Sequence, residues 1–190
     1  EAIKTLVAGN DLTFDEAAQV MDEMFSGTAT QSQMAAYLTA LRIKGETIDE
    51  ITASAQVMRE KALHIKPNRD VLDIVGTGGD GTGTFNISTT AAFIIAAAGI
   101  PVAKHGNRSM SSKSGSADCL EQLGININIT PEKSEEVLNK AGICFMFAQG
   151  YHSSMKYVGP VRKEIGIRNI FNVLGPLTNP AGADLQVTGV

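Results

Sequence analysis

The spacing of apolar residues changes at Val71, and that change limits the chain to folds in which helices precede an α/β layer. Before it, apolar positions recur at helical spacing: Phe14, Ala17, Ala18, Met21, Met24 and Phe25, then Met34, Tyr37, Leu38 and Leu41, then Ile48, Ile51, Ala55 and Met58. Each run is preceded by a Thr with Glu or Gln three positions on: Thr13 with Glu16, Thr30 with Gln33, Thr47 with Glu50. In that pattern the two side chains satisfy each other's orphan amides at a helix start. Three helices are expected, their Met and aromatic stripes forming core or subunit contact. His64 falls near the end of the third, as a surface residue or a favourable charge at a helix C-terminus.

After Val71, "VLDIV", "IPVAK" and "ICFMFA" are short apolar runs bounded by Gly or Pro, and helical segments lie between them at 88–98, 114–123 and 130–141. Pro131 occupies the first turn of the last, where its missing N–H costs nothing. Strand alternating with helix implies right-handed crossovers and a mainly parallel sheet flanked by helices. "HIKPNRD" is the linker, so residues 1–66 are expected to form a small helical domain and 67–190 an α/β domain. "LQVTGV" reads as the opening of another buried strand, and the first residue is not Met; the chain is expected to be a piece of a longer protein, truncated at its C-terminus.

With 43% hydrophobic and 19% charged residues, the 190-residue chain has the balance of a soluble globular protein. It carries no run of eighteen apolar residues and no signal-peptide pattern, so a cytoplasmic protein without membrane association is expected. Cys119 and Cys144 lack metal-ligand spacing and read as buried small hydrophobes. A net charge of −4 argues against a general nucleic-acid binder. Yet no Asp or Glu lies between Gly81 and Ala117, where Lys104, Arg108 and Lys113 fall, which reads either as a chance fluctuation or as a local positive potential for a small polyanion.

The densest chemistry begins at "DIVGTGGDGTGTFNIST". Gly76, Gly78 and Gly81 match the dinucleotide fingerprint, but no helix opens at once and no acid follows at the ribose distance. Gly78 and Gly83 have P-loop spacing, but Thr84 and Phe85 stand where Lys and Ser or Thr are required. What remains is a glycine loop leaving a strand, then Asn86, Ser88 and Thr89 at a helix N-terminus, where free amides and the helix dipole favour an anion. Asp80 beside a bare phosphate would be repelled by roughly 3 kcal/mol at about 5 Å and an effective dielectric of 20. Magnesium, or sugar hydroxyls donating to the carboxylate, would offset that, which points to a phosphorylated sugar with Mg²⁺. The alternative is a turn acid capping its own loop. A second cluster, "VAKHGNRSMSSKSGSADCLEQLG", places Lys104, His105, Asn107, Arg108, Ser111, Ser112, Lys113, Ser114 and Ser116 after the second strand. The carboxyl ends of parallel strands are where an open α/β sheet holds its ligand.

"GTGGDGTGTFNIST", "KHGNRSMSSKSGSADCLEQLG" and "HSSMKYVGPVRKEIGIRNIFNVLGPLTNP", in that order, resemble the anthranilate phosphoribosyltransferase family over essentially the whole chain. The resemblance implies transfer of the phosphoribosyl group of phosphoribosyl pyrophosphate to the amine of anthranilate, with release of pyrophosphate, in tryptophan biosynthesis. It also implies a Mg²⁺-dependent homodimer with a nucleoside phosphorylase-like fold, joined through the helical domain. By motif, Gly76, Thr77, Gly78, Gly79, Asp80, Thr84, Asn86, Ser88, Thr89, Lys104 and Ser116 would bind phosphoribosyl pyrophosphate, with Ser88 also on magnesium. Gly76, Asn107, His152 and Arg162 would serve anthranilate, and Lys104, Asn107 and Arg162 would carry catalysis. Arg162 has independent merit, because a guanidinium matches a carboxylate bidentately.

Asn169 departs from the family's usual Thr after Arg168, and the family's acidic Asp-Glu magnesium pair would lie beyond Val190. No Ser-His-Asp or Cys-His arrangement is visible, and an aromatic amine is already neutral at pH 7. Catalysis by orientation and electrostatic support of the leaving group is therefore expected. A related pyrimidine nucleoside phosphorylase and a non-catalytic nucleic-acid binder are the rival readings.

Overall fold

In the computed structural model, residues 1–78, 85–109 and 114–189 are described. In chain order the elements are α1 (Ala2–Val7), α2 (Phe14–Ser26), α3 (Gln31–Lys44), α4 (Ile48–Glu60), β1 (Leu72–Gly76), α5 (Ile87–Ala97), β2 (Val102–Gly106), α6 (Ser116–Gln122), α7 (Pro131–Ala141), β3 (Ile143–Phe147), α8 (Ala148–Tyr151), α9 (Met155–Ile165), α10 (Phe171–Leu177) and β4 (Leu185–Gly189). They form two compact units: Glu1–Lys61 with Ser153–Thr178, and Ala62–His152 with Asn179–Val190.

The first unit is helical. All three capping boxes are formed, the hydroxyls of Thr13, Thr30 and Thr47 accepting from the amides of Glu16, Gln33 and Glu50, whose side chains reach back to the Thr N–H groups. Met21, Met24, Leu38 and Leu41 are fully buried, and Val158 of α9 and Leu174 of α10 enter the same core. From sequence the boundary fell at 66/67 alone. By packing, residues 153–178 join the helical unit, because α9 lies on α2 and α3 and α10 lies on α4. The expected stripe of α4 is also adjusted: Ile48 faces solvent, whereas Glu50 and Ser54 are buried with Ala53 and Met58. Glu50 can be buried because it accepts the N–H groups of Leu12 (3.0 Å) and Thr47 (2.8 Å) and the Lys44 ammonium (2.9 Å).

The second unit carries a four-stranded sheet of order β3-β2-β1-β4 with every pairing parallel. β1 pairs with β4 at five positions, Leu72 opposite Leu185 through Gly76 opposite Gly189. β2 pairs with β3 at five, and β1 with β2 at one, Leu72 opposite Val102. The strand order reverses at β1, so the loop after Gly76 leaves at the switch point of the sheet. Cys144 is buried as expected and its thiol is pushed up to about 12, by burial and then by Asp73, whereas Cys119 is only partly covered. His64 follows α4, with Nδ1 3.3 Å from the Pro180 carbonyl.

Candidate active site

β1 delivers the glycine segment to the carboxyl edge of the sheet. Gly76 ends the strand, Thr77 N–H donates to Gly189 O (3.0 Å), and Gly78 takes φ +67°, a conformation that L side chains rarely adopt. Gly79, Asp80 and Thr84 lie outside the described residues, as do Ser111, Ser112 and Lys113. The chain is described again at Phe85 and enters α5, whose N-cap residue Asn86 makes no side-chain capping bond. Its amide instead donates to Ser114 Oγ (3.4 Å), a link between the two sequence clusters. Ser88 is half-buried and Thr89 buried in the first turn, so amides and hydroxyls collect at the positive end of the helix.

β2 supplies the second cluster. Lys104 is buried, its stem lining a mainly apolar cavity of about 260 Å³ with Thr89, Leu120 and Phe145, and its ammonium donates to the Ile74 carbonyl. Burial holds its pKa below the ordinary lysine value, against the pull of Asp73. Asn107 is exposed; its Oδ1 accepts from Arg108 N–H (2.8 Å), and its carbonyl accepts from Ser116 Oγ (3.2 Å). His152, at the end of α8, is buried with its ring 5.1 Å from that of His105. His105 was part of the sequence cluster without a role of its own. Its position beside His152 could not be read from spacing, since the two lie 47 positions apart in the chain.

Arg108 corrects the expected positive potential. Its guanidinium pairs with Glu121 (2.5 and 2.8 Å) and Asp118 (3.1 Å) of α6, the first acids beyond the acid-free window. Asp118 also accepts the N–H groups of Ser109 (3.1 Å) and Gly115 (2.8 Å), which with Arg108 hold its pKa below the usual carboxylate range. Arg108 is thus neutralised locally and braces the second cluster. Among the described residues the cationic contribution at the carboxyl edge falls to Lys104.

Arg162 belongs to the first unit, on α9. Its guanidinium stacks 5.1 Å above the Phe171 ring, its Nε is buried without a hydrogen-bond partner among the described residues, and burial lowers its pKa from the usual value. A half-buried guanidinium with an unused donor is suited to an incoming carboxylate. Asn169 is buried and structural: its side-chain oxygen accepts the Phe171 N–H (3.2 Å), and its amide donates to Ile167 O (3.0 Å).

Two family models together cover nearly the whole chain: a glycosyl transferase family helical bundle domain over residues 1–62 and the a/b domain of the same family over residues 68–190. The chain belongs to this glycosyl transferase family. It is 60% identical, over all 190 residues, to the anthranilate phosphoribosyltransferase of Ruminiclostridium cellulolyticum and 62% identical to that of Endomicrobium trichonymphae. It spans 56% of the length of each of these curated relatives. Among solved structures, the anthranilate phosphoribosyltransferase of Thermus thermophilus superimposes with a TM-score of 0.92 at 48% identity, over the whole chain and 58% of that protein. The Saccharomyces cerevisiae enzyme, in complex with PRPP and Mg, gives 0.91 at 28% identity, over the whole chain and 57% of that protein.

Proposed function

We propose that this chain is part of an anthranilate phosphoribosyltransferase, which joins the anthranilate amine to the anomeric carbon of phosphoribosyl pyrophosphate and releases pyrophosphate. The observation that carries the reading is the uncapped start of α5 after a glycine loop at the sheet's switch point, with Lys104 on the next strand. This is the family of the proteins above, one of them a complex with PRPP and Mg.

In this reading Thr77, Gly78, Gly79 and the start of α5 hold the phosphates, with Asn86, Ser88 and Thr89 as neutral donors and Ser116 beside them. Gly76 lets the substrate approach the backbone, and Asp80 and Thr84 also bind phosphoribosyl pyrophosphate. Lys104 offsets charge that develops on the departing pyrophosphate, a role for which its dry position makes each interaction stronger. Arg162 takes the anthranilate carboxylate, while Asn107 and His152 orient the ring. The reaction then needs two held substrates and a stabilised leaving group rather than a strong base.

A hydroxyl such as that of Ser88 is a hard oxygen donor suited to magnesium, and no cluster of three His, Cys, Asp or Glu residues occurs among the described residues. Magnesium held there would supply charge neutralisation to the substrate phosphates. The helical unit exposes Val7, Ile43 and Ile48, which suits a homodimer formed through it. No described helix is long and apolar enough to cross a membrane, and a cytoplasmic enzyme is the reading we favour.

The test is loss of anthranilate fluorescence on adding phosphoribosyl pyrophosphate and Mg²⁺ to the full-length protein. Arg162→Ala should raise the KM for anthranilate by about 10- to 100-fold, the loss of one charge-assisted pair. The KM for phosphoribosyl pyrophosphate should stay within about threefold. Equal losses for both substrates would refute the assignment of Arg162. Phosphorolysis of a pyrimidine nucleoside in place of anthranilate turnover would refute the reaction.

A further inference from the structure

Side chains join β1 and β2 beyond the end of their paired register. Past Leu72 and Val102 these strands make no further paired position among the described residues, although both remain fully paired on their other sides. Three backbone groups of these strands have side-chain partners instead. The Ala103 carbonyl accepts from Asn179 Nδ2 (2.9 Å), the Ile74 carbonyl from Lys104 Nζ, and His105 N–H donates to Asp73 Oδ1 (3.3 Å). The other oxygen of Asp73 accepts from Gln186 Nε2 of β4 (3.3 Å).

Asp73 is 0% exposed, and burial raises its pKa above the usual carboxylate value despite these donors. A buried carboxylate costs several kcal/mol that a plain backbone ladder would not. Such a group is warranted where backbone groups of adjacent strands are left without ladder partners. The unpaired stretch leads to the point where β1 releases the glycine loop and β2 presents Lys104, His105 and Asn107.

We propose that Asp73 is a positioning residue for phosphoribosyl pyrophosphate, its carboxylate anchoring the His105 amide and so fixing the carboxyl end of β2 against the mouth of the glycine loop. This rests on the functional reading above. Asp73 touches no substrate; it acts through the placement of Lys104 and the residues after it.

The experiment compares wild type, Asp73→Ala and Asp73→Asn in the full-length protein. Asp73→Ala should raise the KM for phosphoribosyl pyrophosphate by about tenfold or more, with a smaller rise for anthranilate through the displacement of Asn107. Asp73→Asn keeps an oxygen able to accept the His105 N–H and should return the first KM to within about threefold of wild type. A purely structural residue would lower the active fraction, reducing Vmax with both KM values unchanged, and that result overturns the proposal. So does an Asn variant as impaired in KM as the Ala variant. Should Asp73→Ala fail to fold, the His105 amide proton decides: it should move upfield in Asp73→Asn as its acceptor loses charge, and an unmoved resonance overturns the proposal. Wild type that does not consume anthranilate sinks the enzyme reading, whereas active wild type with kinetically unchanged variants sinks the positioning role alone.

Discussion

Asp118 binds the amides at both ends of a loop and a guanidinium besides, so one carboxylate decides where Ser109 and Gly115 meet. Gly115 is confined there by its neighbours. A Cβ on it would lie 2.7 Å from the Arg108 carbonyl carbon and 2.8 Å from Asn107 O, and would collide with Ser109 N. Backbone cannot step aside as a flexible side chain can. Gly115→Ala should therefore displace the segment that carries Asn107. The expected result is a melting temperature lower by several degrees, about 1–3 kcal/mol, together with a raised KM for both substrates, by calorimetry and steady-state kinetics. Ordinary KM values would show that the loop relaxes without moving Asn107. The glycine was visible in the sequence as part of a polar cluster. Its reason was not, because the close approach joins residues whose contact depends on the turn of the chain between them.

Within α4, a buried acid is kept ionised by its surroundings. Burial pushes the Glu50 carboxyl up, but the N–H groups of Leu12 and Thr47 and the Lys44 ammonium outweigh it, and the net pKa is lowered. A depressed carboxylate contributes stability that is full above its unfolded value of about 4.3 and is lost as pH falls through the lower folded value. Glu50→Ala should cost about 1–3 kcal/mol, since it leaves the Leu12 and Thr47 amides without their acceptor while Lys44 keeps Asp11 at 2.6 Å. Glu50→Gln should flatten the acid limb of a melting profile taken from pH 7 to pH 3. An unchanged acid limb would place the sensitivity elsewhere.

The elements differ in how far the sequence discloses them. α2, α3 and α4 were legible because each carries its start signal and period in one stretch, and β1 to β3 because each is a short apolar run between breakers. α9 and α10 were not. Pro160 and Pro176 lie inside them, and a proline with no N–H to offer ordinarily marks the end of a helix. Tertiary packing against α2, α3 and α4 overrides that local preference.

At the scale of the molecule the helical unit is discontinuous in sequence. Residues 1–61 contribute α1 to α4, but Val158, Val161 and Leu174 of the core arrive only with the later segment. A peptide of residues 1–61 should therefore melt well below the intact chain, short of at least about 2 kcal/mol for each large side chain missing from the core. Adding residues 153–178 should restore helicity by circular dichroism, and a fully stable 1–61 peptide would contradict this. The α/β unit, in turn, exposes Ile87, Phe93 and Ile94 on α5 and Leu185 and Val187 on β4. The 190-residue chain alone should consequently self-associate, a concentration-dependent mass by light scattering being the sign.

The interleaving also orders events on the ribosome. Synthesis runs from the N-terminal side, so β1, β2 and β3 emerge while the helical core still lacks α9 and α10, and β1 waits for β4 as its partner on one side. Neither half can close until translation has passed its own late segment. The nascent chain must keep two unfinished interiors apart at once, and a pause between residues 61 and 153 would hold it in its stickiest form.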